Sequence, residues 1–221
     1  MSTLERNTWL TSRGPLPYLL ARTTAPKPAP ALLFLHGARD RGHDLDLLLR
    51  WAPPRLVAES AGLPYHFIAP QLPEAATWPE RADDLLSLVD ALAASGTVDP
   101  ARVLIAGFSL GAAGAWEIAA RHPGRFAGLV AVSGRVPETA RPQDLRGLPV
   151  RIFHGGSDDK LPAAAIEAHV EALRLQGNPV AYTLYPEGDH FIADRAFADP
   201  ELEGWLLARR RTATTPPDRA A

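Results

Sequence analysis

The chain has 221 residues, 46% of them apolar and 22% charged, which suits a single α/β-sized domain with a full core and excludes wholesale disorder. Its 23 Lys and Arg against 25 Asp and Glu give a formal net charge of −2, so no basic field draws nucleic acid or anionic lipid, and the expected partner is a small molecule. Having no cysteine, it has no disulfides, thiolate metal sites or cysteine nucleophile.

The N-terminal segment carries Glu5, Arg6 and Asn7 where a secretion signal needs an unbroken apolar stretch, and no apolar run approaches the roughly 20 residues that span a bilayer. A cytoplasmic protein without stable membrane insertion is therefore expected. Segments 9–12 and 16–21 read as extended and joined through Gly14-Pro15, an opening hairpin. After a proline-rich connector over 23–30, the apolar run 31–35 stops abruptly at His36-Gly37, as a buried strand entering a turn does. Helical spacing follows over 44–60, then an apolar strand over 65–69 closed by Pro70, then an amphipathic helix over 80–94 with Leu85, Leu88, Val89 and Leu92 on one stripe.

The alternation continues with strands at 102–106, 128–132, 150–153 and 180–185 and helices at 110–121, 163–175 and 201–211. Strands alternating with helices imply a largely parallel sheet covered on both faces, whose ligands bind beyond the carboxyl ends of the strands. Residues 1–211 are expected to form one domain, and 212–221, polar and proline-containing, a disordered tail. Only about 14 residues separate the strand ending at Ser133-Gly134 from the one starting near Leu148, too few for a cap domain, so an open site is expected.

The loops after strands hold the chemistry. Gly107-Phe108-Ser109-Leu110-Gly111 is a G-x-S-x-G sequence placed where a strand ends and a helix begins, the context that gives this motif its mechanical meaning. In so tight a turn, side chains two residues to either side of the serine would collide, which requires Gly107 and Gly111. A serine hydroxyl is a weak nucleophile and needs a base oriented by a carboxylate. Of seven histidines, His190 in the loop after the last strand is best placed; His36 and His154 read as turn histidines, and His43, His66 and His169 as surface or helix-face residues. The acid belongs between Ser109 and His190 in chain order, in the loop holding Asp158 and Asp159. Asp158 is the preferred acid and Asp159 the preferred helix cap, while Asp189 is expected to point elsewhere. The Leu110 N–H is one candidate oxyanion donor, and the Ala38 N–H, with Arg39 close behind, is the other.

The runs LLFLHG at 32–37, GFSLGAAGA at 107–115, FHGGSDDKLP at 153–162 and GDHF at 188–191 resemble the small serine esterases of the α/β-hydrolase superfamily, in particular the phospholipase/carboxylesterase and dienelactone-hydrolase-like groups. The resemblance covers about residues 16–208. It implies an α/β-hydrolase fold, a mostly parallel central sheet flanked by helices with no cap domain, acting on small carboxylic esters without cofactor or metal. It implies Ser109 as nucleophile, Asp158 as acid, His190 as base, and Ala38 and Leu110 as oxyanion donors. Arg39 departs from the small residues of many relatives, and is expected to narrow the site or bind a substrate carboxylate. Trp78 is expected as a pocket wall with Trp51 nearby, although Trp51, Trp116 and Trp205 also read as core packing. Thioester or peptide hydrolysis by the same triad, and ligand binding without turnover, are the alternatives.

Overall fold

The computed structural model describes residues 3–211; the expected tail at 212–221 lies outside the described residues. Eight strands form one sheet: β1 (Leu4–Thr11), β2 (Gly14–Ala21), β3 (Ala29–Leu35), β4 (His66–Pro70), β5 (Val98–Phe108), β6 (Gly128–Val132), β7 (Val150–Gly155) and β8 (Val180–Tyr185). Their order is β1-β2-β4-β3-β5-β6-β7-β8. The hairpin β1–β2 joins the edge antiparallel to β4, and every pairing from β4 to β8 is parallel.

Among the described residues, six α-helices flank the sheet: α1 (Pro54–Glu59), α2 (Ala82–Ala94), α3 (Leu110–Arg121), α4 (Ala163–Leu175), α5 (Ala193–Phe197) and α6 (Pro200–Leu207). Side chains alternate across the pleat, so each central strand feeds two cores. Leu33, Leu35 and Ile105 pack with Leu85, Ala115, Trp116 and Ile166, under α2, α3 and α4. Leu32, Phe34 and Leu104 pack with Val57, Ala196, Leu202 and Leu206, under α1, α5 and α6. This is the α/β-hydrolase architecture, with no cap: the connection between β6 and β7 holds only a short 3-10 turn at Pro142–Leu145. No helix among the described residues is long and apolar enough to cross a membrane.

The helix expected over 44–60 is two pieces. A 3-10 segment runs from Leu45 to Arg50, and α1 starts at Pro54; Pro53 and Pro54 have no N–H to continue a hydrogen-bonded ladder across the junction, although the apolar spacing runs through it. The helix expected over 201–211 ends at Leu207, and α5 precedes it unannounced in the sequence reading. His66, read as a surface residue, is fully buried at the start of β4, where its Nδ1 accepts a hydrogen bond from the Thr23 N–H at 3.3 Å.

The loop after β3 is fixed by His36. Its Nε2 accepts from the Leu72 N–H at 2.9 Å, which leaves Nδ1–H to donate to the Gly37 carbonyl at 2.7 Å, and its own carbonyl accepts from Trp78 Nε1 at 3.2 Å. Burial lowers the His36 pKa from 6.5 to about 4, against the opposing pull of the Gly37 bond. The unfolded chain therefore holds the extra proton between these values. The stability this contributes is fully present above pH 6.5 and is lost as the pH falls toward about 4.

Two outcomes follow for stability. In urea titrations, the difference in unfolding free energy between the wild type and His36→Asn is expected to shrink by about 3 kcal/mol from neutral pH to about pH 4; a constant difference contradicts the buried neutral imidazole. A Cβ on Gly111 would fall 1.8 Å from the Leu35 carbonyl oxygen, whereas one on Gly204, exposed in α6, meets nothing within 4 Å. Gly111→Ala is thus expected to cost more than about 3 kcal/mol, and Gly204→Ala to stabilise by about 0.5–1 kcal/mol.

Candidate active site

Four loops at the carboxyl ends of parallel strands converge on one cleft. The first is the turn from β5 into α3, where Ser109 has φ 52° and ψ −113°, a conformation that costs a non-glycine residue energy. A Cβ on Gly107 would lie 2.2 Å from the Gly111 carbonyl carbon, the collision anticipated from the sequence. The Ser109 N–H donates to the Val132 carbonyl at 2.9 Å and its own carbonyl accepts from Ala113 at 3.1 Å, so the strained turn is tied to β6 on one side and to α3 on the other.

The loops after β7 and β8 are pressed into one unit. The Gly156 N–H donates to the Tyr185 carbonyl at 2.8 Å and the Ser157 N–H to the Gly188 carbonyl at 2.9 Å, and a Cβ on Gly155 would strike the Asp189 carbonyl at 2.2 Å. Across this junction Asp158 Oδ2 lies 2.8 Å from His190 Nδ1, and His190 Nε2 lies 2.9 Å from Ser109 Oγ. Asp158 Oδ1 accepts the Lys160 and Leu161 N–H groups at 2.9 and 3.0 Å. Burial alone would raise the Asp158 pKa, but the bonds from His190 and from those two amides outweigh it and hold the carboxyl below its ordinary value. An ionised carboxylate only accepts, so Nδ1 carries the imidazole proton and Nε2 presents its lone pair to the serine hydroxyl.

Neighbouring groups do other work. Asp159 is exposed and lies 3.9 Å from Lys160 Nζ, and it does not cap α4, whose N-cap is Pro162. Asp189 accepts the Phe191 N–H at 2.7 Å within its own turn. His154 Nε2 lies 2.9 Å from the Leu161 carbonyl oxygen and 3.7 Å from Asp158 Oδ2. Of the two residues expected as oxyanion donors, Ala38 lines the cleft with Ser109 and Leu110 is the first residue of α3. Neither of their N–H groups has an acceptor among the described residues, so both remain available to a ligand.

The cleft has a volume of about 170 Å³, and Arg39 is among its lining residues, its guanidinium 5.1 Å from the Phe191 ring centroid. Trp78 does not line it. It is 1% exposed, a Cβ on Gly114 would press against it at 2.4 Å, and its indole N–H is spent on the His36 carbonyl. With Arg135 it borders a separate groove that reaches Leu110 from the other side. Trp51 takes the wall position instead, 41% exposed and stacked on Phe191 with ring centroids 6.1 Å apart. Gly37, Phe108, Lys160, Phe191 and the buried Asp40 also line it; sequence reasoning gave none of them a role in the cleft. The clearest missed signal is Phe191, an aromatic residue directly after the favoured histidine.

Known proteins share sequence and fold with this chain. A protein of Methylorubrum extorquens named "Putative carboxymethylenebutenolidase" is 32% identical over 134 residues, 55% of this chain and 46% of that protein. A "Probable carboxylesterase SOBER1-like" of Arabidopsis thaliana is 27% identical over 212 residues, covering 83% of this chain and 80% of that one. The crystal structure of a thermostable esterase superposes with a TM-score of 0.79 over 94% of this chain and 63% of that chain, at 23% identity, and shows the shared fold. The chain thus spans less than half the length of the Methylorubrum relative. The phospholipase/carboxylesterase family pattern matches residues 66–200, a stretch holding the elbow and the two loops that meet at His190, and the chain belongs to that family.

Proposed function

We propose that the chain hydrolyses small carboxylic esters through an acyl-enzyme. The observation that carries this reading is the continuous hydrogen-bonded line from Asp158 through His190 to Ser109, at 2.8 and 2.9 Å. Ser109 Oγ attacks the ester carbonyl carbon while His190 Nε2 takes its proton, and the imidazolium that forms is stabilised by Asp158 against Nδ1–H. The carbonyl oxygen, now an oxyanion, is met by the N–H groups of Ala38 and Leu110. His190 then returns the proton to the leaving alkoxide as the tetrahedral adduct collapses. Water, deprotonated by the same nitrogen, attacks the acyl-enzyme, and Ser109 leaves with the proton restored.

The strained backbone at Ser109 supports the role of nucleophile, since it holds the hydroxyl at the mouth of the cleft with no rearrangement needed at the moment of attack. The lack of a cap and the modest cleft favour short acyl and alcohol groups over a long lipid tail, which needs an enclosed apolar tunnel. Thioesters and amides could meet the same groups in principle; the names of the relatives, a carboxylesterase and a carboxymethylenebutenolidase, favour the oxygen ester.

With p-nitrophenyl acetate, Ser109→Ala and His190→Ala are each expected to lower kcat by about 10³-fold or more, and the double variant to fall little further, because the residues act as a unit. Additive losses, or a Ser109→Ala protein that keeps its turnover, contradict the proposal.

A further inference from the structure

The mechanism makes no use of Asp40. It ends the short 3-10 turn after His36-Gly37, lines the same cleft as Ser109, and is only 6% exposed. Its backbone is fully engaged inside the protein: the N–H donates to the Gly37 carbonyl at 3.4 Å and the carbonyl accepts from Gln71 Nε2 at 3.0 Å. What the residue offers to the cleft is therefore its carboxylate. No hydrogen bond or ion pair among the described residues reaches those two oxygens; Arg50 and Arg39 act on them only through space, and burial dominates, pushing the pKa up to about 6. Neither oxygen is among the fully sealed, unpartnered side-chain atoms, so the carboxylate keeps a little accessible surface and stays open to an incoming donor.

We infer that Asp40 is a specificity-determining residue that accepts a hydrogen bond from a hydroxyl group carried by the ester substrate, so that hydroxylated short esters are the preferred class. This rests on the hydrolase reading above. A neutral hydroxyl fits better than an ammonium group, because Arg39 and Lys160 line the same cleft and the charge of Arg50 also acts on the carboxylate, a positive field that repels a cation. The aromatic faces of Phe108, Phe191 and Trp51 on the other walls accommodate the carbon skeleton, and the carboxylate supplies the one strong acceptor. Sites built to bond a substrate hydroxyl discriminate steeply against the analogue that lacks it, because the buried acceptor is then left without a partner.

The test uses two pairs of esters, each differing by exchange of a methyl for a hydroxyl: propyl butyrate against 2-hydroxyethyl butyrate on the alcohol side, and methyl butyrate against methyl 3-hydroxypropanoate on the acyl side. The ratio of kcat/KM within each pair is measured by acid release for the wild type, Asp40→Asn and Asp40→Leu. The wild type is expected to prefer the hydroxylated ester by about tenfold or more in one pair, which also identifies the side of the ester that Asp40 reads. Asp40→Asn, which keeps an amide oxygen as acceptor, retains part of that ratio, and Asp40→Leu brings it to one or below. Ratios within one protein are independent of how much of it is folded, and the wild-type ratio stands even where a variant is lost. Turnover of all four esters with no preference, or a preference unchanged in Asp40→Leu, overturns the role of Asp40 alone. No turnover of any of them overturns the hydrolase reading and this one with it.

Discussion

The constraint on which the site depends is steric: the first turn of α3 lies directly on the end of β3. Any side chain at position 111 would occupy the space of the Leu35 carbonyl, and any at 107 would occupy that of the helix's own first turn. Glycine at both places lets the chain reverse within two residues and forces Ser109 into positive φ. That contact brings the α3 N-terminus, with its free Leu110 N–H, beside the β3 loop that carries Ala38. The proposed nucleophile and oxyanion donors are thus positioned by one close approach of two backbones, which is more rigid than a set of side-chain contacts.

The proposed acid and base are positioned by a second junction of the same kind. The loops after β7 and β8 are stitched by backbone hydrogen bonds at residues 156–157 and 185–188, and Asp158 uses one oxygen to hold its own loop and the other to hold His190. Its carboxylate therefore links loop geometry to imidazole orientation. The two junctions meet at the His190–Ser109 bond and at the ring contacts of Phe108 with His190 and Phe191, 5.6 and 6.4 Å between centroids.

Much of this was legible in the sequence because it is written in local rules. Helices α3 and α4 and strands β6 and β8 match the expected spans residue for residue, since each has an uninterrupted apolar period bounded by a turn or capping signal. The elbow was legible because its glycines answer a collision within five residues of chain. What was illegible depends on packing between distant segments. Trp78 sits in a loop yet is packed beneath Gly114, away from the cleft of Ser109, while Trp51, for which a wall position and core packing were both open, stacks on Phe191, 140 residues later in the chain. The state of Asp40 is equally non-local, since only the folded loop shows that no hydrogen bond or ion pair among the described residues reaches its carboxylate.

The account's central claim is that Ser109 is an activated nucleophile, made so by His190 and Asp158. Treatment with a fluorophosphonate followed by peptide mass spectrometry tests it most directly, because the reagent modifies only a serine whose proton has somewhere to go. The account predicts one adduct, on the peptide carrying Ser109, formed rapidly in the wild type and far more slowly in His190→Ala. Modification spread over other serines, or an unlabelled Ser109 in the folded wild-type protein, would contradict it.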